Sequence, residues 1–177
     1  IAQDTGAYGV DLYRRRMLPG LLRKIAAVRG VEWIRILYAH PVHVTDELID
    51  AMASIPQIVR YLDMPVQHLT DRMLSRMRRG ISRDRQLALI DRLRERLPGL
   101  TLRTTVIVGH PGETPEDVDE MTALLKQVRF DRLGAFAYSN EPGCRARDLD
   151  GHVEEDEKAR RLDRVMQTQQ EVAFARN

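Results

Sequence analysis

Apolar runs with strand character begin near positions 33, 60, 101 and 132, and each leads into a stretch with helical spacing. Strands joined through helices run parallel, which dictates an α/β architecture. Parallel strands are covered on both faces, and continuous apolar runs such as WIRILY and TTVIV suit that burial. No Gly-rich dinucleotide fingerprint follows a first strand. The expected fold class is therefore α/β: a partial (β/α) barrel with parallel strands and outer helices. The 177 residues suffice for one domain with a real core, and 43% hydrophobic content excludes disorder.

Strands are expected at Trp33–Tyr38, Arg60–Pro65, Leu100–Val108 and Arg132–Tyr138. The opening IAQDTGAYG reads as the end of a strand already under way, so the natural polypeptide is expected to extend upstream. Helices are expected over Leu18–Gly30, with Gly30 as the C-cap, from Thr45 to about Ser54, over Thr70–Arg79, and from a Ser82 cap to Leu97. In TTVIVGHPGETPED, Thr114 reads as an N-cap with Pro115 at the first helical position and Asp117 completing a capping pair. Val118, Met121, Leu125 and Val128 then recur at helical spacing. A last helix over Val153–Ala175 carries the stripe Leu162, Val165, Met166 and Val172.

A barrel of this kind keeps its site at the C-terminal ends of the strands. Polar side chains collect there: Gln3 and Asp4, then Tyr38, His40 and His43, then Gln67 and His68, then Gly109, His110 and Glu113, then Tyr138 and Ser139. The segment Val108–Glu113 predicts a rigid shelf. Its two glycines permit positive φ or close approach of a ligand, and Pro111 stiffens it. The helix starting at Thr114 points free N–H groups the same way. A flat polar ligand such as a nucleoside suits such a shelf; a plain strand-to-helix turn has the same pattern. Arg103 interrupts an apolar strand, so it holds a ligand carboxylate or pairs with a neighbouring acid. His40 and His43 flank Pro41 and lack helical metal-ligand spacing. The lone cysteine, Cys144, reads as an ordinary thiol. Arg72, Arg76, Arg79 and Arg83 recur at helical spacing, either as a surface for RNA phosphates or an acidic protein or as a solvated helix face.

Five phrases, in order, carry a family resemblance: AQDTGAYG, EWIRILYAHPVHVTDELID, YLDMPVQHLTDRMLSRMRRG, LRTTVIVGHPGETPED and FDRLGAFAYSNEPG. Together they resemble the methylthiotransferase branch of the radical S-adenosylmethionine enzymes, and the ribosomal-protein branch more than the tRNA branch. The resemblance implies a barrel of the radical SAM type. It also implies methylthiolation of the β-carbon of an aspartate in small-subunit ribosomal protein twelve. The implied cofactors are S-adenosylmethionine and two 4Fe-4S clusters. The radical generated at one cluster abstracts hydrogen from carbon, the second cluster supplies sulfur, and a further S-adenosylmethionine supplies methyl. The implied S-adenosylmethionine residues are Gln3, Asp4, Tyr38, His40, Gln67, His68, Arg103, Val108, Gly109, Pro111, Glu113 and Tyr138. The implied partners are the ribosomal protein or the assembled subunit.

The chain departs from that family in holding no Cys-x3-Cys-x2-Cys motif. It is therefore expected to be residues 1–177 of a later portion of the barrel, without the cluster loop, the sulfur-donor domain or the C-terminal β-domain, and inactive alone. His110 also stands where relatives more often have an aromatic residue, and Cys144 where they often have threonine. Other readings are a divalent-metal barrel enzyme using His40, His43, His68 and Asp63, and a docking module using the basic helix. The 28 basic and 26 acidic side chains leave a net charge of +2, which demands neither nucleic acid nor membrane. One cysteine and no long apolar run fit a cytoplasmic setting.

Overall fold

The computed structural model describes residues 4–175. The chain divides into two compact units, one comprising the residues up to Pro65 with Ala88–Arg103, the other Val66–Leu87 with Thr104 onward. Four strands, β1 (Ile34–Ile36), β2 (Ile58–Asp63), β3 (Thr101–Val108) and β4 (Arg132–Ala137), follow one another in the sheet in sequence order. β1 pairs with β2 and β2 with β3 in parallel, as strand-helix alternation requires.

In the first unit, a 3-10 turn (Thr5–Ala7) and α1 (Val10–Tyr13) precede α2 (Leu18–Ala26), and α3 (Asp46–Ser54) connects β1 to β2. The opening residues of β3 complete the pairing: Leu62 lies opposite Leu102, both fully buried, and Asp63 lies opposite Arg103. Each such buried leucine contributes about 1.5–3 kcal/mol. The helix expected to reach Gly30 stops at Ala26. Val28 is exposed, so another turn would bury nothing, and Gly30 takes its positive φ in the following loop. β1 is likewise shorter than the Trp33–Tyr38 run. Trp33 and Leu37 are exposed, and Tyr38 adopts φ 63°, which ends the strand. The expected upstream strand end is Thr5–Ala7 helical turn where it is described, and Gln3 lies outside the described residues.

In the second unit, α4 (Asp71–Arg76) is capped by Thr70, and α6 (Pro115–Val128) follows β3. α7 (Glu155–Phe174) follows β4 and a 3-10 turn over Arg145–Asp148. α5 (Arg83–Arg96) and β3 each begin in one unit and end in the other. The Thr114–Asp117 capping box is present, and Val118, Met121, Leu125 and Val128 are buried as their spacing requires. α4 ends at Arg76 and does not reach Arg79. Arg78 adopts φ 53°, and the Arg79 N–H closes back on the Leu74 carbonyl at 2.9 Å. On α7 the buried face is Lys158, Arg161, Val165, Thr168, Gln169 and Val172, whereas Met166 is exposed.

Candidate functional site

The Gly109–Glu113 loop is built on one buried carboxylate. Glu113 Oε2 accepts the Gly109 N–H at 2.7 Å and Arg161 Nη1 at 2.9 Å. Its Oε1 lies 3.3 Å from His68 Nε2. His68 accepts the Thr70 N–H at Nδ1, which leaves its ring proton on Nε2, facing Glu113. Burial pushes the Glu113 carboxyl up, but the adjoining His68 ring and the bonds from Gly109 and Arg161 outweigh it and hold the carboxyl below its ordinary value.

Three consecutive carbonyls of this loop each receive an arginine. Arg76 Nε donates to Pro111 O at 2.6 Å, Arg72 Nη2 to Gly112 O at 2.8 Å, and Arg161 Nη1 to Glu113 O at 2.9 Å. Arg72 also binds Asp117, the capping-box residue of α6, and Arg76 binds Asp150. Arg83 pairs with Glu120 and Asp84. The basic run is thus neither a solvated helix face nor one continuous stripe, because Arg72 and Arg76 fasten the shelf. Gly109 and Gly112 have φ of 71° and 83°. Their close neighbours are protein groups: a Cβ would overlap the Lys158 stem at Gly109 and the Arg76 guanidinium at Gly112.

Beside the shelf lies a cavity of about 470 Å³, with Gln67, Ile107, His110 and Tyr138 in its wall. The Gln67 backbone is fixed to β3, accepting from the Ile107 N–H at 2.8 Å and donating to Thr105 O at 2.9 Å. It takes φ 67°, and its buried Oε1 has no hydrogen-bond partner. The His110 and Tyr138 rings meet edge to face at 5.4 Å. Burial pushes the His110 imidazole below its ordinary pKa and the Tyr138 hydroxyl above its own.

The first unit gathers the other strand-end residues. Asp4 Oδ1 accepts the N–H groups of Gly6 and His40 at 3.0 and 3.1 Å, and Oδ2 pairs with His43. Burial opposes ionisation of Asp4, but the His40 N–H and His43 hold its pKa down. His40 Nδ1 accepts the Val42 N–H at 3.2 Å. Thr5 Oγ1 donates to Leu37 O at 3.0 Å, beside the half-exposed Tyr38. Arg103 takes the second course open to it in the sequence, binding both Asp63 oxygens at 2.8 and 2.9 Å across the strand pair. Among the described residues no three His, Cys, Asp or Glu side chains form a metal-binding group.

Of the expected site residues, Gln67 and Tyr138 line the cavity. Val108, Gly109, Pro111, His68 and Glu113 form or support the shelf, and Glu113 has no exposed side-chain surface. Asp4, Tyr38, His40 and Arg103 belong to the first unit. Sequence reasoning missed Lys158 and Arg161. Their spacing along the buried stripe of α7 was the signal, since cations on such a face require partners.

The Radical SAM superfamily profile matches residues 8–125. The chain is 47% identical over 174 residues to the ribosomal protein uS12 methylthiotransferase RimO of Phocaeicola vulgatus, covering 98% of this chain and 40% of that protein. It is 48% identical over 177 residues to the protein of the same name from Symbiobacterium thermophilum, covering 100% and 36%. It therefore spans about two-fifths of the length of these curated relatives. Among solved structures, coproporphyrinogen III oxidase (HemN) from Escherichia coli superposes with TM-score 0.68 at 21% identity, over 88% of this chain and 36% of that one. Streptococcus suis SuiB bound to precursor peptide SuiA superposes with TM-score 0.59 at 16% identity, over 95% and 34%. These two likenesses establish the fold alone. With strand-helix alternation, parallel pairing and two-thirds of its length matched, this chain belongs to the Radical SAM superfamily.

Proposed function

We propose that this chain is the later barrel portion of a radical S-adenosylmethionine methylthiotransferase acting on the β-carbon of an aspartate in ribosomal protein uS12, in the cytoplasm. The observation that carries the reading is 47–48% identity, over 98–100% of this chain, to relatives bearing that name. The residues fit S-adenosylmethionine. The shelf carbonyls are fixed by three arginines, and the orphaned Gln67 Oε1 is an acceptor awaiting an N–H or O–H donor. They do not fit an iron–sulfur cluster, because the chain has one cysteine, and that cysteine is exposed. Cluster ligands would come from outside these residues.

When bound, S-adenosylmethionine supplies one-electron chemistry at unactivated carbon and a methyl group. In this reading Gln67 fixes a polar edge of the cofactor, the Val108–Pro111 shelf lies along its flat face, and Ile107 and Tyr138 exclude water. Glu113 and His68 act through the loop they hold. Asp4, Tyr38 and His40 are assigned to S-adenosylmethionine on the family resemblance alone, and Arg103 is spent on Asp63. RNA contact by the basic run is not favoured for Arg72 and Arg76, whose donors are spent on the loop.

The test is the complete reading frame, purified without oxygen. Iron and acid-labile sulfide for two clusters, with reductive cleavage of S-adenosylmethionine, is the expected result. Gln67→Ala should weaken S-adenosylmethionine binding in equilibrium dialysis by about tenfold, the value of one buried hydrogen bond. An iron-free protein that does not cleave S-adenosylmethionine would overturn the proposal.

A further inference from the structure

The cavity beside the shelf has four arginines in its lining, Arg76, Arg78, Arg79 and Arg145, and no acidic residue. Arg76 is held by Asp150 and Pro111, and Arg79 also has interactions within the protein. Arg78 and Arg145 are different: among the described residues neither guanidinium meets a carboxylate. Arg78 is also held at φ 53°, where Gly or Asn usually closes a helix. A non-glycine residue in that region costs about 1–3 kcal/mol and persists where the surroundings over-determine it, commonly at a binding site. The rest of the wall combines apolar Met77, Ile107, Ala146 and Leu149 with His110, Tyr138, Cys144 and the unpartnered Gln67 Oε1.

We infer that Arg78 and Arg145 are specificity-determining residues that bind the carboxylate of an acidic side chain presented by a peptide. The inference rests on the proposed function, which it deepens by naming the groups that recognise the substrate acid. A guanidinium fork matches a carboxylate or a phosphate equally well. The two remaining features favour a peptide. Gln67 Oε1 has two lone pairs and can accept a second donor beside the cofactor's, and an aspartyl residue carries a backbone N–H close to its carboxylate, whereas phosphate oxygens only accept. A single-stranded nucleic acid would also want successive aromatic platforms, and the cavity offers only Tyr138 and His110.

The experiment uses the complete protein and two short uS12 peptides, one with the target aspartate and one with asparagine in its place. Affinities are measured for wild type, Arg78→Asn, Arg145→Ala and Arg145→Lys. Asparagine at 78 tolerates the left-handed backbone, so its effect reports the side chain. Wild type should prefer the aspartyl peptide by about tenfold or more. Arg78→Asn and Arg145→Ala should each lower affinity for it by about tenfold while moving the asparaginyl peptide by less than about twofold. Arg145→Lys should fall between, since it keeps the charge and loses the fork. Bound S-adenosylmethionine, measured in parallel by dialysis, should be unchanged in all variants, which shows the cavity is still formed.

Equal losses for both peptides, or no loss for either, would overturn the assignment. So would an RNA oligonucleotide that displaces the aspartyl peptide and loses its own affinity in the same variants. A wild type that binds no S-adenosylmethionine yet keeps the arginine-dependent aspartyl preference would sink the proposed function and leave the arginine assignment standing.

Discussion

Removing Arg161 should cost more stability than removing any exposed arginine, and the cost should depend on pH. Its side chain is 8% exposed, and it binds both the backbone carbonyl and the fully buried carboxylate of Glu113. Arg161→Met keeps the length and apolar stem but strands the acid. Breaking a buried pair by deleting one partner costs about 3–5 kcal/mol. Glu113 retains His68 and the Gly109 N–H, so the lower limit applies, about 3 kcal/mol. With a urea slope of about 2 kcal/mol/M, the midpoint should fall by about 1.5 M. The carboxyl is a depressed acid in the folded protein. Its stabilisation is complete above the ordinary glutamate value of 4.5 and is lost as pH falls through its lowered folded value. The gap between wild type and Arg161→Met should therefore be full near neutral pH and narrow in acid. Arg161→Lys should recover part of it. A midpoint change below about 0.5 M at neutral pH, or a gap that does not narrow in acid, would refute the reasoning.

Two further outcomes follow from the same loop. Gly112→Ala should lower stability by about 1–2 kcal/mol through its φ of 83° alone, with an added clash against the Arg76 guanidinium. In thermal melts Gly112→Ala/Arg76→Ala should lose the clash and keep the backbone cost, and a neutral Gly112→Ala would count against the strained-turn account. His110 is held below its ordinary value of 6.5 by burial, so its unfolded form takes up the proton first and stability falls as pH drops below 6.5. His110→Phe keeps the edge contact with Tyr138 and removes that proton. Its urea midpoint should gain on wild type between about pH 7.5 and pH 5.5, and parallel pH profiles would exclude this role for His110.

Helix starts were legible because their causes are local. Thr45, Thr70 and Thr114 each accept a backbone N–H three residues on, and such a motif needs nothing distant. Helix ends were not. α2 stops where burial stops, and α4 stops on an arginine in the left-handed region, a choice that propensity opposes. The strand-end residues Gln67, Glu113 and Tyr138 were found by position. What each one touches depends on partners far along the chain, as with Glu113 and Arg161, 48 residues apart. The stripe on α7 held the missing information, because Lys158 and Arg161 share the buried face with Val165 and Val172.

The same distant partners change what the glycines mean. Gly109 and Gly112 read as room for a ligand, yet the space over each is taken by Lys158 and by Arg76. Both loop carbonyls flanking Gly112 point to guanidinium groups, and the Gly112 N–H donates to Gly151 O at 2.6 Å. The loop is held by the protein groups around it, and the cavity with Gln67, His110 and Tyr138 in its wall lies beside it. A small-residue shelf of this kind is preorganised: its three carbonyls and the Gly109 and Gly112 N–H groups have partners before any ligand arrives, so binding orders little further and forfeits little entropy. Of the groups in the cavity wall, the buried Gln67 Oε1 has no hydrogen-bond partner and the exposed guanidinium groups of Arg78 and Arg145 meet no carboxylate among the described residues, so ligand specificity should concentrate on them.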